Sequence, residues 1–165
     1  MFLDQHAAME IARDYIGAEV VPAMLGWGVT GFVFVNERLR TAVKIHKFAD
    51  TCQREMQAYE LLKRKRLQEQ LRRRFSLNVP RMLASDPERH LIHMDLVRPP
   101  FLLDFAGVRF APPDFSDDVM ADWHDQIVEK FGDQFALVYA IYDFLAKRGL
   151  YYLDFRPSNL NLSGL

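Results

Sequence analysis

The stretch YYLDFRPSNLNL, residues 151–162, is the one around which the rest of this chain is read. Asp154 stands five residues ahead of Asn159, with the turn signal Pro157-Ser158 between them. Upstream, Leu137, Val138, Ile141, Phe144 and Leu145 recur at helical spacing over residues 134–148, and Gly149 supplies a stop. A helix, a glycine and an apolar segment thus deliver a loop that carries a carboxylate and an amide oxygen. The carboxylate can accept a hydroxyl proton, and the amide oxygen can hold a hard cation. Asp-x-x-x-x-Asn by itself is common in loops; the Arg-Pro-Ser-Asn continuation and the helix–Gly–apolar lead make this occurrence more specific.

With 165 residues the chain can bury roughly 70% of its unfolded surface, as one domain or two small lobes. Half the residues are hydrophobic and 26% charged, an ordinary globular composition. A net charge of −1 gives no global electrostatic case for nucleic acid or membrane partners. Cys52 is the only cysteine, which excludes an intrachain disulfide and fits a reducing, cytoplasmic compartment. The opening MFLDQHAAME has an early acid and no long apolar run, unlike a signal peptide. No run of eighteen apolar residues predicts a membrane span. His90 and His93 would point to opposite faces of a strand and have no third ligand nearby, so a metal site is not expected from them.

Ahead of the loop, residues 4–16 place Ala8, Ile11, Ala12, Tyr15 and Ile16 on one helical face, with Asp4 as N-cap and Gly17 as stop. The texture then changes to β-branched and aromatic residues broken by glycines. A first strand is predicted over residues 20–25, a second over 32–35 and a third over 41–47. GWGVTGFV, residues 26–33, joins the first two and places Gly26, Gly28 and Gly31 as G-x-G-x-x-G, followed by Val33. A strand follows these glycines where a dinucleotide-binding fold would have a helix. Thirteen residues after Gly31 stands Lys44, in TAVKIH. On a strand it shares a face with Ala42 and His46, while Val43 and Ile45 face the other way.

Residues 50–74 contain neither Gly nor Pro and are mostly good helix formers, so one long helix is predicted there, with Asp50 or Thr51 as N-cap. Its end is basic: Lys63, Arg64, Lys65, Arg66, Arg72, Arg73 and Arg74 are opposed by Glu69. A solvated helix face is the simpler account of these charges; a nucleic-acid or headgroup patch is the alternative. Short strands are predicted at 81–84 and 90–96, around the turn Ser85-Asp86-Pro87. The segment at 97–100, with Pro99-Pro100, reads as a connector. FLLDFAGVRF, residues 101–110, is apolar and gives no signal of its own. Ser116 caps a helix starting near Asp117, with Trp123, Ile127 and Val128 as its buried face.

Taken together, LAKRGLYYLDFRPSNLNL, the glycine hairpin and the strand lysine resemble the protein kinase superfamily. The catalytic-loop pattern matches without a gap, except that Tyr152 and Leu153 replace the family's His-Arg. TAVKIH resembles the V-A-I-K strand, about four residues closer to the glycines than is usual in that family. The resemblance implies an α+β, kinase-like fold: a five-stranded antiparallel N-lobe sheet with a long helix over residues 1–97, and a truncated helical C-lobe over 98–165. It implies ATP and Mg²⁺ as cofactors. Gly26, Gly28, Gly31 and Val33 would border the nucleotide, and Asp95 to Val97 would meet the adenine. Lys44 would position phosphates, paired with Glu55 or, failing that, Glu60. That pair is expected to be partly exposed and to add about 0–1 kcal/mol. Asp154 would serve as base or metal ligand, Arg156 would steady the γ-phosphate, and Asn159 would bind Mg²⁺.

The family continues to an Asp-Phe-Gly whose aspartate holds the phosphate-bridging metal. The sequence stops six residues after Asn159, and Asp104-Phe105 precedes the loop, which by chain order sets it aside as the equivalent. The expected function is therefore ATP binding, with phosphoryl transfer to a hydroxyl weak or absent. A pseudokinase-like scaffold for a protein partner is the alternative, and a nucleic-acid module built on the basic residues 63–74 a weaker one.

Overall fold

The computed structural model describes residues 3–165 other than 18 and 20. The fold is α+β, and its central feature is a five-stranded antiparallel sheet. The chain forms two compact units. The first comprises residues 1–65 and 80–97, the second residues 66–79 and 98–165. Residues 66–79, counted with the N-lobe in the sequence reading, group with the second unit.

The first unit opens with helix α1 (Gln5–Ile16), whose N-cap Asp4 accepts the Ala7 amide at 2.8 Å. Strands β1 (Ala23–Trp27), β2 (Gly31–Asn36) and β3 (Thr41–His46) follow, then helix α2 (Ala49–Arg64), β4 (Met82–Asp86) and β5 (Leu91–Asp95). β1 begins three residues later than expected; Val20, where it was placed, lies outside the described residues. The sheet order is β1-β2-β3-β5-β4, which puts β3 at the centre. All six β3 residues are buried, because both faces of that strand are covered. On one face Phe32, Phe34, Val43, Ile45 and Leu91 pack against Ala8 and Ala12 of α1. The alternation of the strand sends Lys44 and His46 to the other face, where α2 presents Glu55 and Tyr59. The Tyr59 hydroxyl reaches Met94 Sδ at 3.6 Å.

The single helix expected over 50–74 is two helices. α2 ends at Arg64, Arg66 adopts a left-handed backbone with φ of 53°, and α3 runs Leu67–Phe75. The reason is phase. The buried stripe of α2 is Cys52, Glu55, Ala58, Tyr59 and Leu62. Continued at 3.6 residues per turn, it would bury Arg66 and Arg73 and leave Leu67 roughly 115° and Leu71 roughly 155° from its centre. The break resets the phase, and Leu67, Leu71 and Phe75 are buried. No glycine or proline marks it, so propensity gave no warning.

In the second unit, α3 precedes β6 (Phe101–Leu102), α4 (Asp117–Phe131), α5 (Phe135–Ala146) and β7 (Leu160–Asn161). β6 and β7 pair antiparallel, with Phe101 opposite Asn161 and Leu102 opposite Leu160. The strand neighbourhood extends both ways: Leu103 N–H donates to Asn159 O at 2.8 Å, and Arg109 and Tyr151 exchange backbone hydrogen bonds at 3.1 and 2.8 Å. FLLDFAGVRF, silent in the sequence, therefore frames the loop at 151–162. Ser116 caps α4 as expected, and Ile127 is buried, but Val128 is 38% exposed and does not belong to the packed face. Val138, Ile141, Phe144 and Leu145 of α5 are buried, and Phe75 meets Phe144 edge-on.

Candidate functional site

The first unit holds a buried ion pair. Lys44 Nζ lies 2.6 Å from Glu55 Oε2, and their side chains are only 6% and 1% exposed. The pair was expected to be partly exposed; the full coverage of β3 by α2 is why it is not. Glu60, the fallback partner, is exposed. His46 sits two residues beyond Lys44 on the same face, its Nε2 3.1 Å from the same Glu55 oxygen. That contact is close enough for charge but poorly aligned, and neither buried ring nitrogen makes a hydrogen bond. Burial pushes the Glu55 carboxyl up, but the Lys44 ammonium and His46 together override it and hold it down at about 2. Glu55 is a fixed anion. Cys52, one turn away, is the opposite case: burial and then the Glu55 charge push its thiol up to about 11, so it is no nucleophile.

Val33 is the β2 residue opposite Lys44, and it is partly exposed on the lysine's face. The glycines divide by role. A Cβ on Gly31 would collide with the Ile45 carbonyl oxygen, whereas Gly26 and Gly28 face open space and Gly26 follows a register shift in β1. Lys47 closes the hairpin, donating from Nζ to Gly28 O at 2.8 Å and from its amide to Thr30 O at 2.9 Å. After β5, the Asp95 amide donates to Arg81 O and the Leu96 amide to Arg40 O. Val97 thus offers the uncommitted amide among the three residues expected at an adenine.

The second unit holds the loop. Asn159 is buried, and its Nδ2 donates to both the Asp154 carbonyl at 3.1 Å and Asp154 Oδ2 at 3.0 Å. With the nitrogen so committed, Asn159 Oδ1 is left free to act as an oxygen ligand. Arg156 Nη2 lies 3.1 Å from Asp154 Oδ2, with both side chains about half exposed. Burial pushes the Asp154 carboxyl up; Arg156 pulls down, Asp104 pushes up again, and the Asn159 hydrogen bond and Lys130 pull down, for a net rise. Tyr152, which replaces the expected histidine, is buried and donates to Leu103 O at 2.6 Å. The Trp123 indole donates to Leu153 O at 2.8 Å. Both fasten the backbone that carries Asp154.

Asp104, which the sequence reading set aside by chain order, follows Leu103 just past β6. Antiparallel pairing of β6 with β7 places Asp104 just beyond the strand that meets Leu160–Asn161, near enough for its charge to act on Asp154. Asp104 itself adopts a left-handed backbone, with φ of 59°. The side chains of Asp104, Asp154 and Asn159 are hard oxygen donors of the kind magnesium takes. No group of three or more His, Cys, Asp or Glu among the described residues is arranged to hold a metal alone. In α3, Glu69 engages Arg66 at 2.7 Å and Arg73 at 2.6 Å, which neutralises part of the basic stretch. No helix among the described residues is long and apolar enough to cross a membrane.

No family model matches the sequence, and neither the curated proteins nor the solved structures contain a match.

Proposed function

We propose that this chain binds Mg·ATP on a protein-kinase-like fold and transfers the γ-phosphoryl group to a hydroxyl acceptor. The observation that carries the reading is the buried Lys44–Glu55 pair beside a glycine hairpin. A buried ion pair is seldom more stable than an apolar pair of the same volume, so its presence calls for a use. Phosphate charge is that use: a fixed anion holds the ammonium where negative charge develops. The open space over Gly26 and Gly28 lets a ligand approach the backbone, and the free Val97 amide suits an adenine edge.

In the second unit Asp154 accepts the hydroxyl proton, a role helped by a carboxyl pushed above its ordinary range. Asn159 Oδ1 and the Asp104 carboxylate would hold the magnesium in this reading. Magnesium usually takes one or two carboxylates and completes its shell with phosphates and water, so three protein acids are not required. Bound there, it would supply neutralisation of charge on the transferring group. In this reading Asp104 takes the metal-holding part that an Asp-Phe-Gly aspartate plays in protein kinases. Arg156 is held on Asp154 through one guanidinium nitrogen, which leaves its other donors for a phosphate.

Calorimetric titration with MgADP tests the reading, using wild type and Lys44→Met/Glu55→Gln. The double change keeps the site neutral and avoids stranding one buried charge. Saturable binding that weakens at least tenfold in the double variant is expected. Equal binding by both proteins overturns the assignment.

A further inference from the structure

Within the second unit a cavity of about 450 Å³ opens beside Asp154, between the segment after β6 and the start of α4. Its size suits a small molecule. Phe115, Met120 and Trp123 line it, together with the polar side chains of Arg109, Gln126 and Asp154. Trp123 is fixed: its Nε1 is tied to Leu153 O, and Tyr139, Tyr142 and Phe155 pack around the indole. Arg109 lies over the Phe115 ring at 5.1 Å and makes no side-chain hydrogen bond or ion pair among the described residues. Arg109 is exposed to solvent, and a guanidinium beside an apolar wall can take a carboxylate in a bidentate pair.

We propose that this cavity is the acceptor site, and that the acceptor is a small alcohol with an aromatic or apolar body and a carboxylate. The proposal rests on the phosphoryl-transfer reading of Asp154. The carboxylate meets Arg109, the body lies on Trp123 and Phe115, and the hydroxyl is left at Asp154. In the transfer the acceptor oxygen forms a bond to the γ-phosphorus of ATP while the bond to the β-bridging oxygen breaks. The hydroxyl proton goes to the Asp154 carboxylate, and ADP leaves with the electron pair of the broken bond. Asp122, also on the wall, faces the cavity with like charge to the acceptor's carboxylate and so orients that group toward Arg109.

The test uses 3-phenyllactate, which carries ring, hydroxyl and carboxylate, and 2-phenylethanol, which lacks the carboxylate. Binding is read from Trp123 fluorescence in the full chain with Trp27→Phe, which leaves one tryptophan. Phenyllactate should quench saturably, and phenylethanol at least tenfold more weakly. Arg109→Gln should abolish that difference without changing the melting temperature. Absence of saturable quenching, or an undiminished preference in Arg109→Gln, overturns the acceptor assignment. Preference for a serine-containing acidic peptide over phenyllactate overturns the small-molecule class. MgADP titration of the same samples separates the two readings: nucleotide binding without phenyllactate binding removes the acceptor site alone. Phenyllactate binding without nucleotide binding removes the phosphoryl-transfer role and with it the acceptor assignment.

Discussion

Lys44 and Glu55 meet at 2.6 Å with almost no solvent on either side chain, so each offsets the buried charge of the other. Removing one charge leaves the second buried, a penalty of about 3–5 kcal/mol. Lys44→Met should therefore lower unfolding stability by that order, and Glu55→Leu likewise. Lys44→Met/Glu55→Leu removes both charges and should recover most of the loss. Urea unfolding of the three variants checks this, and additive losses in the double variant would mean the two side chains do not act as a pair.

The same pair sets an acid limit. Glu55 titrates at about 2 in the folded chain and near 4.5 when unfolded. A depressed carboxyl contributes stability that is complete above the unfolded value and lost as pH falls toward the folded one. The contribution is about 3 kcal/mol, lost between roughly pH 5 and 2. Urea midpoints measured from pH 6 to pH 3 should fall more steeply for wild type than for Glu55→Gln. Parallel curves would show that the carboxylate is not stabilised by its neighbours.

The glycines of the hairpin should separate under substitution. Gly31→Ala drives a Cβ into the Ile45 carbonyl, which is backbone and cannot swing aside. It should cost about 1–3 kcal/mol, as overpacking in a filled site does. Gly26→Ala and Gly28→Ala meet open space and should unfold close to wild type. If nucleotide occupies that space, both should nevertheless weaken MgADP binding. Thermal unfolding with and without MgADP distinguishes the three.

How far the sequence revealed all this depends on what each feature needs. Strand alternation alone placed Lys44 opposite Val43 and Ile45, and helical spacing plus Ser116 placed α4. Glu55 was named through the family resemblance, and its burial was unreadable because that follows from α2 covering β3. The break at Arg66 escaped notice because it serves the burial of Leu67, Leu71 and Phe75, a demand made by packing that no local breaker residue announces. Asp104 was named and set aside by chain order, and its surroundings were unreadable for a related reason. Which strand pairs with which is a long-range fact, and the β6–β7 pairing sets the chain just before residue 104 alongside Asn159.

That pairing yields a prediction that does not depend on turnover. Asp104 and Arg156 act on Asp154 with opposite sign, the first raising and the second lowering its carboxyl pKa. Asp104→Asn removes a neighbouring negative charge and should move the Asp154 titration down; Arg156→Gln should move it up. Carbon-detected NMR of the Asp154 carboxyl across pH 2 to 8 reads both. In the transfer assay, Asp104→Asn should further lower the rate by about 10²–10³, the usual loss for one electrostatic contact at a transferring group. Asp154→Asn should lower it at least as much, and its wild-type acid limb should lie above the range of an ordinary aspartate because the folded pKa is raised. An unmoved Asp154 titration in Asp104→Asn would place residue 104 outside the site. A moved titration with an unchanged rate would leave Asp104 as a neighbour of the base and remove it as a metal ligand.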